Sequence, residues 1–174
     1  MLKSYSKKEL GEMYVKNFND MYKICEIAGW GDPFSYARSR EILMANYLGH
    51  EVAETLSGAD AYTQTGTPVE YKSTIGRKIS ATYNGVSVHS TWEEQEKYLR
   101  EEKIGKYPEH YFARFEGSKI VEVWVASGEK VLGALLPKFK KQFLTQGNRK
   151  DPRLGAALSM REIHNISKRI RGLQ

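Results

Sequence analysis

Residues 58–74 read GADAYTQTGTPVEYKST. Val69 to Ser73 alternates apolar and polar residues, the period of a β-strand. Side chains two apart on a strand share a face, so Glu70 and Lys72 stand together while Val69 and Tyr71 face the other way. Thr65-Gly66-Thr67-Pro68 turns the chain, which puts Asp60 on the preceding strand. Two carboxylates and a lysine therefore converge at one place on a sheet. Two carboxylates from neighbouring strands can hold one hard cation with water in the remaining positions, as Mg²⁺ prefers. Such an ion acidifies a bound water and takes up charge developing on a phosphoryl oxygen, while the lysine can orient that water. These are the parts needed to hydrolyse a phosphodiester. The same Glu-x-Lys pair on a plain surface contributes at most about 1 kcal/mol, so the spacing by itself leaves both readings open.

Around this stretch the chain alternates helix and strand signals. Ser6-Lys7-Lys8-Glu9 is a capping box, followed by Leu10, Met13, Tyr14, Phe18, Met21, Tyr22 and Cys25 at helical spacing and by Gly29 as a stop. Arg40 to Leu48 predicts a second helix ended by Gly49, and Glu51 to Leu56 a strand. Lys78 to Tyr83 is a further strand, on which Ser80, Thr82 and Asn84 share one face and Tyr83 lies on the other. Thr91-Trp92-Glu93-Glu94 caps a charged helix to about Lys103. His110 to Phe115 and Lys119 to Ala126 form a hairpin across Glu116-Gly117-Ser118. Val131 to Leu136 and Lys138 to Leu144 predict helical pieces broken at Pro137. Residues 147–152 read as a polar loop, and Ser159-Met160-Arg161-Glu162 caps a basic tail helix. The expectation is one α+β domain over residues 1–174, a mixed central β-sheet flanked by helices. The apolar stripe over residues 6–28 is wider than one core face needs, which suggests a dimerisation element.

Composition narrows the partners. The net charge is +6, but from Lys130 onward eleven Lys/Arg face only Asp151 and Glu162, while the rest holds 16 basic and 19 acidic residues. A basic C-terminal quarter on a near-neutral body suggests a polyanion. Lys138, Lys140, Lys141, Lys168, Arg169 and Arg171 suit phosphate contacts. No apolar run is long enough to span a bilayer, and the start lacks the apolar core of a secretory signal. Cys25 is the only cysteine. It is expected to pack on its helix in a reducing cytoplasm, with no membrane partner. The four histidines, 50, 89, 110 and 164, show no zinc spacing.

Asp60, nine residues, then Glu70-Tyr71-Lys72 resembles the PD-(D/E)XK nuclease signature, and within it the PvuII-type type II restriction endonucleases. Gly58, Asp60, Ala61, Gly66, Glu70, Lys72 and Ser73 fall in register without gaps. Gly29, Asp32, Phe34, Leu43 and Gly49 keep that register upstream, and Phe112, Ala113, Gly117 and Asp151-Pro152 fit downstream. The likeness covers about residues 10–155, is strongest over 29–73, and needs an insertion between Gly85 and Pro108. It implies a restriction-endonuclease-like fold with Asp60, Glu70 and the Tyr71 carbonyl as Mg²⁺ ligands, and Lys72 as the residue that positions the attacking water. Glu41, Glu51 and Glu54 are weaker acidic candidates, read as surface charge. Two recognition regions depart from the family. Tyr36 stands where the family has an acid in a loop facing the minor groove, and Tyr83-Asn84 replaces a base-reading histidine cluster.

The implied DNA contacts are Tyr36, Arg38 and Ser39 at the minor groove, and Ser80, Thr82, Tyr83 and Asn84 near the active strands. Asn148, Arg149, Lys150 and Asp151 occupy the loop where the family makes its second set of base contacts. Lys favours guanine and Asp accepts from cytosine N4, so Lys150-Asp151 leans towards G·C pairs. The implied function is Mg²⁺-dependent hydrolysis of double-stranded DNA at a short, G·C-leaning palindrome by a homodimer, since a two-fold dimer matches a two-fold site. A cognate DNA methyltransferase would act on the same site without a stable complex. Two alternatives stand beside this: a structure-specific or repair nuclease of the same superfamily, and a basic DNA-binding protein without catalysis.

Overall fold

The computed structural model describes residues 5–55, 58–145 and 153–170. Its elements are α1 (Lys7–Ala28), α2 (Arg38–Leu48), β1 (Glu51–Val52), β2 (Ala61–Tyr62), β3 (Pro68–Thr74), β4 (Ala81–Val86) and α3 (Trp92–Tyr98). They continue with β5 (Glu109–Glu116), β6 (Lys119–Ser127), α4 (Gly128–Thr145), β7 (Leu154–Leu158), α5 (Met160–Ile166) and β8 (Lys168–Ile170). This is an α+β architecture around a mixed sheet of order β1-β2-β3-β5-β6-β8, with β4 and β7 forming a separate two-stranded ribbon. Only β3 and β5 run parallel in the sheet, with Glu70 opposite His110 and Lys72 opposite Phe112.

The alternation read over residues 69–73 is the one observed: Val69 and Tyr71 are buried, and Glu70 and Lys72 half-buried. Val69, Tyr71, Tyr111 and Ala113 pack with Met44 and Ala45 of α2. Phe112 and Ala126, pointing the opposite way, pack with Val131, Leu132, Leu135 and Phe139 of α4 and with Ile79, Ala81 and Tyr83 beside or on β4. The sheet is thus covered on both faces, and the acid–lysine pair of β3 looks towards the ribbon.

Local signals hold at the helix ends. The three capping boxes form at Ser6/Glu9, Thr91/Glu94 and Ser159/Glu162. Gly29 and Gly49 close α1 and α2 in the left-handed conformation, which costs glycine no steric penalty. Cys25 is buried, as its place on the stripe predicts.

Several expectations need correction, and one strand was not foreseen. Pro137 does not break the helix, because α4 is continuous through it. Its ring faces the carbonyl of Gly133, four residues back, and both residues lie on the exposed side, where that carbonyl can bond water. β7 was not legible. Leu154, Ala156 and Leu158 alternate inward, but Gly and Ala dilute strand propensity. The basic tail is not one helix: α5 stops at Ile166, and Lys168–Ile170 joins the sheet against β6. The strand expected from Glu51 to Leu56 shrinks to Glu51–Val52. The charged helix to Lys103 is α3 followed by a π-helical turn, Leu99–Lys103.

Candidate active site

β2 leaves β3 after two pairs, Ala61 with Val69 and Tyr62 with Pro68. Asp60 sits at this fork. Its backbone N–H donates to the Val69 carbonyl at 3.1 Å. Its Oδ2 accepts from the Tyr71 N–H at 2.7 Å. An extended residue turns its N–H and C=O to the same side, so the Tyr71 carbonyl also looks towards Asp60. On the neighbouring face Lys72 Nζ bonds Glu70 Oε1. The three residues picked out by spacing are therefore brought together, Asp60 tied to the β3 backbone and Glu70 and Lys72 to each other.

Asp60 and Lys72 line a cleft of about 470 Å³, with Ala37, Arg40 and Glu41 on one wall and Ser80, Ala81 and Thr82 on the other, and Glu70 reaches it through its bond to Lys72. Thr74 Oγ1 clamps the far end, donating to the Ser80 carbonyl and accepting its N–H. Arg40 Nε donates to Ser73 Oγ at 2.7 Å, which sets a guanidinium at the cleft wall.

Glu41 is the acid that sequence reasoning undervalued. It carries only 16% of its side-chain exposure, whereas Glu51 and Glu54 lie exposed. Burial raises its pKa against the pull of Arg38, and it acts electrostatically on both Asp60 and Lys72. The signal was available, since residues 38, 41, 44, 45 and 48 form the inward stripe of α2. A carboxylate on that stripe points into the protein.

Burial, then the neighbouring Glu70 and Glu41, pushes the Asp60 carboxyl up to about 7. Burial alone would lower the Lys72 pKa, but Glu70 and Asp60 outweigh it and the net direction is up. Lys72 is thus held as an ammonium. Hard oxygen donors carrying more negative charge than one ammonium offsets suit a divalent cation such as Mg²⁺. Among the described residues no group of three or more His, Cys, Asp or Glu forms a metal cluster. Asp60 and Glu70 are the two carboxylates of the predicted set that could offer side-chain oxygens to such an ion.

This raised pKa has a measurable consequence. Between about pH 4 and about pH 7 native Asp60 keeps a proton that the unfolded chain has lost, so stability falls as pH rises through that window. The penalty is absent below it, complete above it, and at most about 4 kcal/mol. In EDTA, Asp60→Asn should flatten the fall in Tm between acid and neutral pH. At pH 8, Mg²⁺ should raise the Tm of the wild type and leave that of Asp60→Asn unmoved. An equal response of both proteins would put the ion elsewhere.

The expected DNA contacts divide. Ser80, Thr82 and Asn84 are exposed on one side of the ribbon, and Ser80 and Thr82 line the cleft. Tyr36 is 96% exposed and is the one non-glycine residue with positive φ (49°) among those described. Arg38 is not available to DNA. It is 1% exposed, its Nε donates to the Trp30 carbonyl at 2.7 Å, and its other nitrogens bond the Ala53 carbonyl and Glu41. Ser39 is likewise committed, donating to the Pro33 carbonyl. Tyr83 points inward, 7% exposed, with its hydroxyl on His110. The alternation that exposes Thr82 and Asn84 requires this. Asn148, Arg149, Lys150 and Asp151 lie outside the described residues, as does Arg171. Of the basic residues assigned to phosphate, Lys138 is taken by Glu162 at 2.6 Å, whereas Lys140 and Lys141 are exposed.

No helix among the described residues is long and apolar enough to cross a membrane. No known protein-family model matches this chain, and no curated protein matches it.

Proposed function

We propose that this chain is a type II restriction endonuclease of the PD-(D/E)XK kind, PvuII-like in fold, which hydrolyses double-stranded DNA at a short palindrome. The observation that carries the reading is that Asp60 and Lys72 line one cleft, with Glu70 bonded to Lys72 and with Ser80, Ala81 and Thr82 as the opposite wall. Asp60, Glu70 and the Tyr71 carbonyl would hold Mg²⁺, which when bound acidifies water and offsets charge on the phosphate. Lys72, as an ammonium paired with Glu70, donates to a water and turns its lone pair towards phosphorus. Tyr71 N–H fixes the Asp60 carboxylate that shares this space. Arg40 adds a cation at the wall where a phosphate would lie. Ser80, Thr82 and Asn84 are the proposed readers of base edges, with Lys150-Asp151 giving the lean towards G·C pairs. The enzyme would act in the cytoplasm beside a methyltransferase that protects the same sequence. Cleavage of an intact linear duplex in preference to junction and mismatch substrates is the expected result. Preference for the branched substrates would move the protein to the structure-specific nucleases.

The same reading includes a homodimer through α1. Among its apolar residues only Cys25 is buried, while Leu10, Met13, Tyr14, Val15, Ile24 and Ile27 are 44–77% exposed. So much apolar surface on one helix marks an interaction site. Phe18 belongs to the protomer, since it stacks on Phe34 with ring centroids 4.3 Å apart. Sedimentation should give twice the 19.9 kDa chain mass. Met13→Glu should shift it to the monomer and convert double-strand breaks into nicks. A wild-type monomer would remove the dimer from the account.

A further inference from the structure

We infer that Tyr83, locked by His110, is a positioning residue for Lys72. This rests on the nuclease reading of Asp60, Glu70 and Lys72, and adds the group that holds the lysine in place. Lys72 Nζ lies 5.0 Å from the centroid of the Tyr83 ring, over its face. An aromatic face attracts an ammonium, most strongly where water is excluded. Glu70 binds the same ammonium from β3. The lysine is thus gripped between a carboxylate on its own strand and an aromatic ring delivered by the ribbon.

The ring is itself fixed. Tyr83 Oη is 2.9 Å from His110 Nδ1, and His110 Nε2 is 3.0 Å from the Ile104 carbonyl. A carbonyl only accepts, so Nε2 carries the proton and Nδ1 is left to accept the Tyr83 hydroxyl. The hydroxyl therefore points away from Lys72, and what the lysine meets is the π-face. His110 is fully buried and stands opposite Glu70 in the β3–β5 ladder. The Ile104 carbonyl follows the π-helical turn Leu99–Lys103, whose last bond is Ile104 N–H to the Leu99 carbonyl at 2.8 Å. A π-turn is a feature enriched at functional sites. One strand consequently carries exposed polar residues at Thr82 and Asn84 and, on its reverse side, the support of Lys72.

The test separates the ring's electrostatics from its shape. Tyr83→Phe keeps the ring, and pentafluorophenylalanine at the same position keeps the shape but reverses the sign of the quadrupole. Tyr83→Phe, which keeps the ring and loses only its bond to His110, should retain measurable duplex cleavage and serves as the reference. The fluorinated variant should fall about tenfold below Tyr83→Phe in kcat, at equal KM and equal Tm. The Lys72 ε-methylene protons should be shifted upfield by the ring in wild type and in Tyr83→Phe. Equal kcat in the two ring variants of an active enzyme, or an unshifted Lys72 ε-methylene, overturns the positioning role. A wild type that cuts no duplex at all sinks the nuclease reading instead.

Discussion

Replacing Asp60 by alanine should lower duplex cleavage on the order of a thousandfold or more, and leave binding of cognate DNA in Ca²⁺ within a few-fold of wild type. The carboxylate is one of two side-chain donors facing the proposed ion. Losing several kcal/mol of charge stabilisation in the transition state costs three decades in rate. In the proposed reading binding is carried elsewhere, by the exposed face of β4, by Arg40 at the cleft wall and by exposed cations such as Lys140 and Lys141. Glu70→Ala should behave in the same way, with a second effect, since Lys72 then loses its ion-pair partner. Gel shifts in Ca²⁺ beside single-turnover cleavage in Mg²⁺ separate the two quantities. Asp60→Ala cutting at near wild-type rate would remove this cleft from the mechanism and favour a DNA-binding protein whose hydrolysis, if any, lies elsewhere.

The largest stability effect should come from Arg38. It is the bulkiest fully buried side chain among the described residues, and it joins three segments: the Trp30 carbonyl after α1, the Ala53 carbonyl after β1, and Glu41 of its own helix. Arg38→Ala strands two carbonyls and leaves Glu41 without its cation. Breaking a buried pair from one side costs about 3–5 kcal/mol. Urea unfolding should show a loss of that size, and the melted wall of the cleft should carry cleavage down with it. A variant of near wild-type stability would mean that the guanidinium is solvated in solution, and would restore Arg38 as a candidate for the minor groove.

What could be read from the chain follows the range of the interactions involved. Capping boxes, glycine stops and the alternation at Val69–Ser73 act between residues a few positions apart, so their geometry is written in local spacing. The Asp60–Glu70–Lys72 convergence was legible because a short turn forces the two strands together. β7 was not, because Leu-Gly-Ala-Ala-Leu becomes a strand only by pairing with β4, some seventy residues earlier. Pro137 survives in α4 because the exposed Gly133 lies opposite its ring, a matter of which side faces water rather than of propensity. Arg38 and Glu41 misled for one reason. Charged residues are mostly exposed, and only their place on the inward stripe of α2 reveals that they form an interior pair. Tyr83 was assigned to DNA by family position, although the strand period already set it on the side opposite Thr82 and Asn84.

The most direct measurement is digestion of one sequenced plasmid by the purified chain in Mg²⁺, with every end mapped to the nucleotide. The account predicts double-strand breaks at a single short sequence with two-fold symmetry, abolished by EDTA and by Asp60→Ala. An intact plasmid, or ends scattered without a common sequence, would contradict it.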